Sequence, residues 1–299
     1  AYSLNELARL YNRQEQYRKA EPLLQESLAI KEHLFGPEHS SLASSLNNLA
    51  MTYAELGEYA AAETLYERAL AIREQELGAD HVDLATPLNN LARLYSAMGD
   101  HTRAEPLFKR ALQLRQAAFG NTHASVANSF SNLAFAYQSQ GKFDSAAEHY
   151  RKALAIWQQT GHEKRPDATA TLHNLAALYK AQGLSDLAEA ATQHVLELRE
   201  NALGTLHPRV SNTLNNLAVL YQRGDDLTAA ERLYLRAYHI AEQNEQPALR
   251  WLILSNLSVV MDQQKHTRLA IFFGKQAVNT LQNLRVNLGS IFCIFASSI

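Results

Sequence analysis

Cysteine is nearly absent from this sequence. Cys293 stands alone, so no disulfide forms within the chain; a stapled secreted scaffold is excluded and a reducing cytosol fits. Long apolar runs are missing as well, and none reaches the roughly 18 residues that a membrane span needs. The N-terminus, Ala1-Tyr2-Ser3-Leu4-Asn5, has neither a basic n-region nor an apolar h-region, so it does not read as a signal peptide. It lacks an initiating Met, and the chain is expected to be a fragment cut near a repeat boundary. Charge of one sign is lacking too. The formal net charge of −2 argues against nucleic acid as the main ligand, because phosphate binding needs a basic face. Gly and Pro are few, 12 and 7, and most fall at regular places.

What is present is repetition. In a chain of 299 residues, 46 % of them apolar, Leu46-Asn47-Asn48-Leu49-Ala50 returns as Leu88-Asn89-Asn90-Leu91-Ala92. It returns again as Phe130-Ser131-Asn132-Leu133-Ala134, Leu172-His173-Asn174-Leu175-Ala176 and Leu214-Asn215-Asn216-Leu217-Ala218, each step being 42 residues. Leu4-Asn5-Glu6-Leu7-Ala8 lies 42 residues upstream, and Leu254-Ser255-Asn256-Leu257-Ser258 follows after 40. Seven units result, near 1–42, 43–84, 85–126, 127–168, 169–210, 211–250 and 251–285, the last irregular and followed by an apolar tail or cap, 286–299. Each phrase precedes a Tyr, usually a turn Gly (Gly224 comes one place early), and then small residues such as Ala62 and Ala69. Apolar spacing of i, i+3, i+4, i+7 on both sides of the turn is helical, and no stretch alternates with period two, so no sheet is expected.

This pattern resembles the tetratricopeptide repeat, whose usual unit is about 34 residues. The resemblance implies an all-α solenoid, a superhelix of helix–turn–helix units making about one right-handed turn around a concave groove. The additional residues imply longer second helices and a longer loop. Those loops read Phe35-Gly36-Pro37-Glu38-His39, Leu77-Gly78-Ala79-Asp80-His81, Phe119-Gly120-Asn121-Thr122-His123 and Leu203-Gly204-Thr205-Leu206-His207. With the Asn-Asn-Leu-Ala phrase they resemble the kinesin light chain family and its bacterial relatives, which implies a cytoplasmic, non-catalytic scaffold for cargo-adaptor peptides. The kinesin heavy chain or motor cargo is a partner by resemblance alone, since the family's N-terminal coiled coil is absent from this sequence. The fourth loop departs from the pattern and puts Arg165 where the His falls. Leu269 to Asn279 resembles the last repeat ahead of caspase-like CHAT domains in bacterial proteins, which implies, as an alternative, the sensor region of a larger effector. Self-association through the apolar tail or an open end of the array is a third expectation.

The resemblance places the first helix of each unit inside. Counting each unit from three residues before the Leu, the inward positions are about 2, 5, 6, 9, 12 and 13. Position 6 holds Asn48, Asn90, Asn132, Asn174, Asn216 and Asn256, amides able to donate to and accept from a peptide backbone or to bond the neighbouring helix. Arg93, Lys180 and Arg223 at inward positions suit an acidic peptide, and Met51 and Phe135 at position 9 suit an apolar anchor. Together they are the expected peptide-binding residues.

Chemistry finds little foothold. His39, His81, His123 and His207 sit a repeat apart and cannot converge on one metal ion; they are expected to fix their loops. Cys293 lies in an apolar run with no charge to lower its pKa. No Gly-rich phosphate loop occurs, and no metal or cofactor is expected. Pro22 and Pro106 are expected in the first turn of second helices, where a missing N–H costs nothing.

Overall fold

A computed structural model of the chain describes residues 1–296, with side chains as far as Arg285. The expectations for the tail and for Cys293 fall outside the described side chains. Among the described residues there are fourteen α-helices and no strand. They form seven consecutive pairs: α1 (Tyr2–Arg13) with α2 (Tyr17–Phe35), α3 (Ala43–Glu55) with α4 (Tyr59–Leu77), α5 (Ala85–Ala97) with α6 (His101–Phe119), α7 (Ala124–Ser139) with α8 (Phe143–Gln159), α9 (Pro166–Ala181) with α10 (Ser185–Leu203), α11 (Pro208–Arg223) with α12 (Leu227–Gln243), and α13 (Pro247–Gln263) with α14 (Thr267–Ala296). Four of the second helices, α2, α4, α6 and α10, run to 19 residues, which accounts for most of the repeat's extra length.

Small residues set how closely each pair packs. Ala50 and Ala62, Ala92 and Ala104, Ala134 and Ala146, and Ala218 and Ala230 are all fully buried. Larger chains such as Leu46, Leu88, Leu133 and Leu214 fill the layer between them, each burial contributing roughly 1.5–3 kcal/mol. Within each unit the second helices also pack on the first helix that follows, α2 on α3, α4 on α5 and α6 on α7 in unit 1, and α10 on α11 and α12 on α13 in unit 2, and α1, α3, α5 and α7 touch in sequence, as do α11 and α13. Within each unit, neighbours thus share core that no single pair could bury.

The turns explain the glycines. Gly57, Gly99, Gly141 and Gly183 have φ between 72° and 81°, where a side chain is disfavoured. In the sixth pair the left-handed residue is Asp225 (φ 65°), not Gly224. The turn has kept its phase, and the glycine at 224 has negative φ.

The recurring histidines are helix caps. The Nδ1 atoms of His39, His81, His123 and His207 accept from the N–H groups of Ser41, Asp83, Ser125 and Arg209 at 3.1–3.2 Å. Arg165 occupies the cap position of α9 without a side-chain cap bond. The chain divides in this loop into two compact units, Ala1–Gly161 and His162–Ile299. One expectation is corrected. Pro22 and Pro106 are the sixth residues of α2 and α6, inside the helix rather than in its first turn, so each removes an N–H that would bond four residues back.

Candidate peptide-binding grooves

In unit 1 the first helices carry three adjoining clefts. One of about 280 Å³ is lined by Arg9, Asn12, Arg13, Tyr17, Asn48, Met51 and Glu55 of α1–α3. The next, about 260 Å³, is lined by Met51, Glu55, Tyr59, Tyr66, Asn90, Arg93 and Leu94. The third, about 550 Å³, lies among α3 to α6 and the start of α7, with Asn47, Asn48, Arg73, Asp83, Pro87 and Arg115 in its wall. Asn48, Met51 and Glu55 each border two clefts, so the three make one continuous surface. Arg9, Arg13, Arg73, Arg93 and Arg115 face it against Glu55 and Asp83, and basic charge prevails.

The expected residues divide between the units. Asn48, Asn90, Met51 and Arg93 come together in this groove. Asn132 and Phe135 lie on α7, Phe135 half exposed. In unit 2, Asn174 and Lys180 lie on α9, and Asn216 and Arg223 on α11. Burial, and then the nearby Arg223, lower the Lys180 pKa from its ordinary value. No carboxylate pairs with Arg93, Lys180 or Arg223 among the described residues.

The Asn series has an internal task. Asn48 Nδ2 donates to Asn5 Oδ1 at 3.1 Å, Asn90 to Asn47 at 2.9 Å, Asn132 to Asn89 at 2.9 Å and Asn256 to Asn215 at 3.2 Å. Each rung ties one first helix to the one before it. An amide has a second N–H and a carbonyl oxygen, and these are the groups left to a ligand at Asn48, Asn90 and Asn132.

Sequence reasoning missed a second basic series, on the second helices. Lys31, Arg73, Arg115 and Arg199 share one repeat position. Lys31 Nζ donates to Ser45 Oγ at 2.8 Å, Arg115 Nη1 to Ser129 Oγ at 2.6 Å, and Arg199 Nη1 to Thr213 Oγ1 at 2.7 Å. For Arg73 the corresponding residue, 14 positions on, is Pro87, which has no hydroxyl. Arg73 makes a long bond to Ser44 Oγ, 3.3 Å, and lies 4.0 Å from Glu76. Burial lowers the Arg115 pKa from its ordinary value, and no carboxylate pairs with it among the described residues. The 42-residue period of Lys31, Arg73 and Arg115 is visible in the sequence, but these cations lie on the second helices, away from the first-helix face that the resemblance indicates.

The tandem antiparallel helix pairs, close-packed through small residues, define a repeat protein of the tetratricopeptide class. The chain belongs to the tetratricopeptide-repeat family, whose pattern matches residues 1–75, 41–117, 83–159 and 167–243. Within that family it is kinesin light chain-like. BtubC (BKLC) from P. vanneervenii is 25 % identical, with a TM-score of 0.69 over 77 % of this chain and 92 % of that one. A kinesin light chain-like protein of Podospora anserina with nearly identical repeats is 27 % identical, TM-score 0.61, over 70 % of this chain and 100 % of that one. A Rap protein in complex with Competence and Sporulation Factor shares the fold at 16 % identity, TM-score 0.62, over 95 % of this chain and 75 % of that one. No curated protein matches the sequence. Among the described residues no helix is long and apolar enough to cross a membrane.

Proposed function

We propose that the chain is a non-catalytic scaffold that holds an extended acidic peptide along the first-helix groove of unit 1. The fold supports the coarser part of this reading, since tetratricopeptide arrays typically serve protein–protein interaction. The observation that carries the finer part is the basic wall of the groove, in which Arg9 is the one cation with a close carboxylate partner among the described residues, Glu6 at 2.8 Å. Arg93 has no carboxylate partner among the described residues and Arg73 only a distant one, so their guanidinium forks are available to carboxylates, while Arg115, held by Ser129, adds its charge to the wall. Met51 and Tyr66 give an apolar residue somewhere to sit, and Asn48 and Asn90 keep amide groups for its backbone. In unit 2, Lys180 and Arg223 are a separate basic patch suited to the same ligand chemistry.

A peptide array of extended ten-residue sequences, probed with the purified chain, tests this. Acidic sequences carrying one large apolar residue are expected to bind, and their binding is expected to weaken with added salt. Preference for basic sequences, or retention by none, would count against the proposal.

A further inference from the structure

Among the described residues, the first pair exposes a face of α1 and the last pair a face shared by α13 and α14. Leu7 of α1 is 42 % exposed, whereas Leu49, Leu91, Leu133, Leu175 and Leu217 at the same repeat position are between 2 and 4 % exposed. Leu10 is half exposed where Leu94, Leu178 and Leu220 are buried. On α13 and α14, Val259, Ile271 and Val278 are each just over half exposed around a cleft of about 600 Å³. Gly274 lines that cleft at the position held by Tyr66, Phe108, Tyr150 and Tyr234 in earlier pairs.

We propose that these two faces fit each other, and that a second copy of this chain docks its α1 on the α13–α14 face. The contacts between successive first helices set the register. Position 6 reaches position 5 of the preceding helix, as Asn90 reaches Asn47; across the junction Glu6, which Arg9 bridges at 2.8 Å, comes to Ser255, whose hydroxyl donates to Trp251 O, so this meeting sets the register and the bond is left to the next pair. Position 12 reaches position 13 of the following helix, as Gln222 Nε2 donates to Gln263 Oε1 at 2.9 Å; across the junction Asp262 meets Arg13. Asp262 lines the cleft, and neither it nor Arg13 has an ion-pair partner among the described residues. Leu94 shares a cleft with Tyr66, so the same register sets Leu10 against Gly274, where the ring is missing.

Each copy contributes a different face. The contact is therefore heterologous, and association is open-ended rather than closed at a dimer unless the rotation closes a ring. This inference does not rest on peptide binding in the groove.

Sedimentation velocity over a range of concentrations tests it, with Leu7→Glu blocking one face and Val278→Glu the other. The unaltered chain is expected to gain mass with concentration. Each variant alone is expected to stay monomeric, and an equimolar mixture to form dimers and stop there. Arg13→Asp is expected to weaken association at least tenfold, and adding Asp262→Arg to the same chain to restore it, which damage to folding cannot do. A chain that stays monomeric at every concentration, or blocked variants that fail to pair while the unaltered chain associates, overturns the proposal.

Discussion

Arg73 shares its cleft with Pro87, the residue that stands where Ser45, Ser129 and Thr213 receive the equivalent cations of other repeats. The proline withholds a partner, and the guanidinium keeps capacity for a ligand. Pro87→Ser is expected to engage Arg73 and to weaken acidic-peptide binding about tenfold, close to 1.4 kcal/mol, with helicity unchanged. Fluorescence polarisation with a labelled acidic peptide checks this, and an affinity equal to the parent's would remove the special role given to Pro87.

The Asn rungs predict a stability effect separable from binding. Asn90→Ala removes the bond to Asn47 and leaves that part-buried acceptor without its donor, at a cost of about 1–3 kcal/mol. Chemical denaturation reads the loss. Asn216→Ala, for which no such rung is seen among the described residues, is expected to cost less.

The histidine caps predict a local effect. His123→Ala removes the side-chain acceptor for Ser125 N–H and is expected to destabilise unit 1 by about 1 kcal/mol, as other lost N-caps do. Amide exchange should rise first at the start of α7. Unchanged exchange there would mean that water caps the helix equally well.

Two buried groups predict opposite pH limits. Burial, then Arg199, lower the His173 pKa below its ordinary 6.5. The unfolded chain then binds the proton more readily, so stability present above 6.5 is lost as pH falls below it. His173→Asn, which supplies the residue of other repeats, should flatten the fall of melting temperature between about pH 7 and pH 5. Burial raises Tyr66 from 10.0 to about 12. Its contribution is intact below 10.0 and declines as pH climbs toward 12, and Tyr66→Phe should remove that decline.

The fold was legible because its determinants recur in phase. Ala50 with Ala62, and Leu88 with its equivalents, sit at buried positions where close packing favours one size class, so periodicity exposed them. The histidine caps were legible for the same reason. The site was less so. Asn90 reads as a ligand residue until its partner is known, and that partner, Asn47, lies 43 residues away. Arg73 looks identical to Arg115 until the residue facing each is compared. The left-handed Asp225 held the turn's phase although the glycine had slipped to 224, because backbone geometry, not residue type, is what the turn retains.

The most direct test of the central claim is titration calorimetry of one acidic peptide, taken from the array, against the unaltered chain and against Arg73→Ala/Arg93→Ala/Arg115→Ala, with circular dichroism as the folding control. The account predicts that the triple variant keeps its helicity and loses at least a hundredfold in affinity, roughly 2.7 kcal/mol. Equal affinity in a folded triple variant would contradict it.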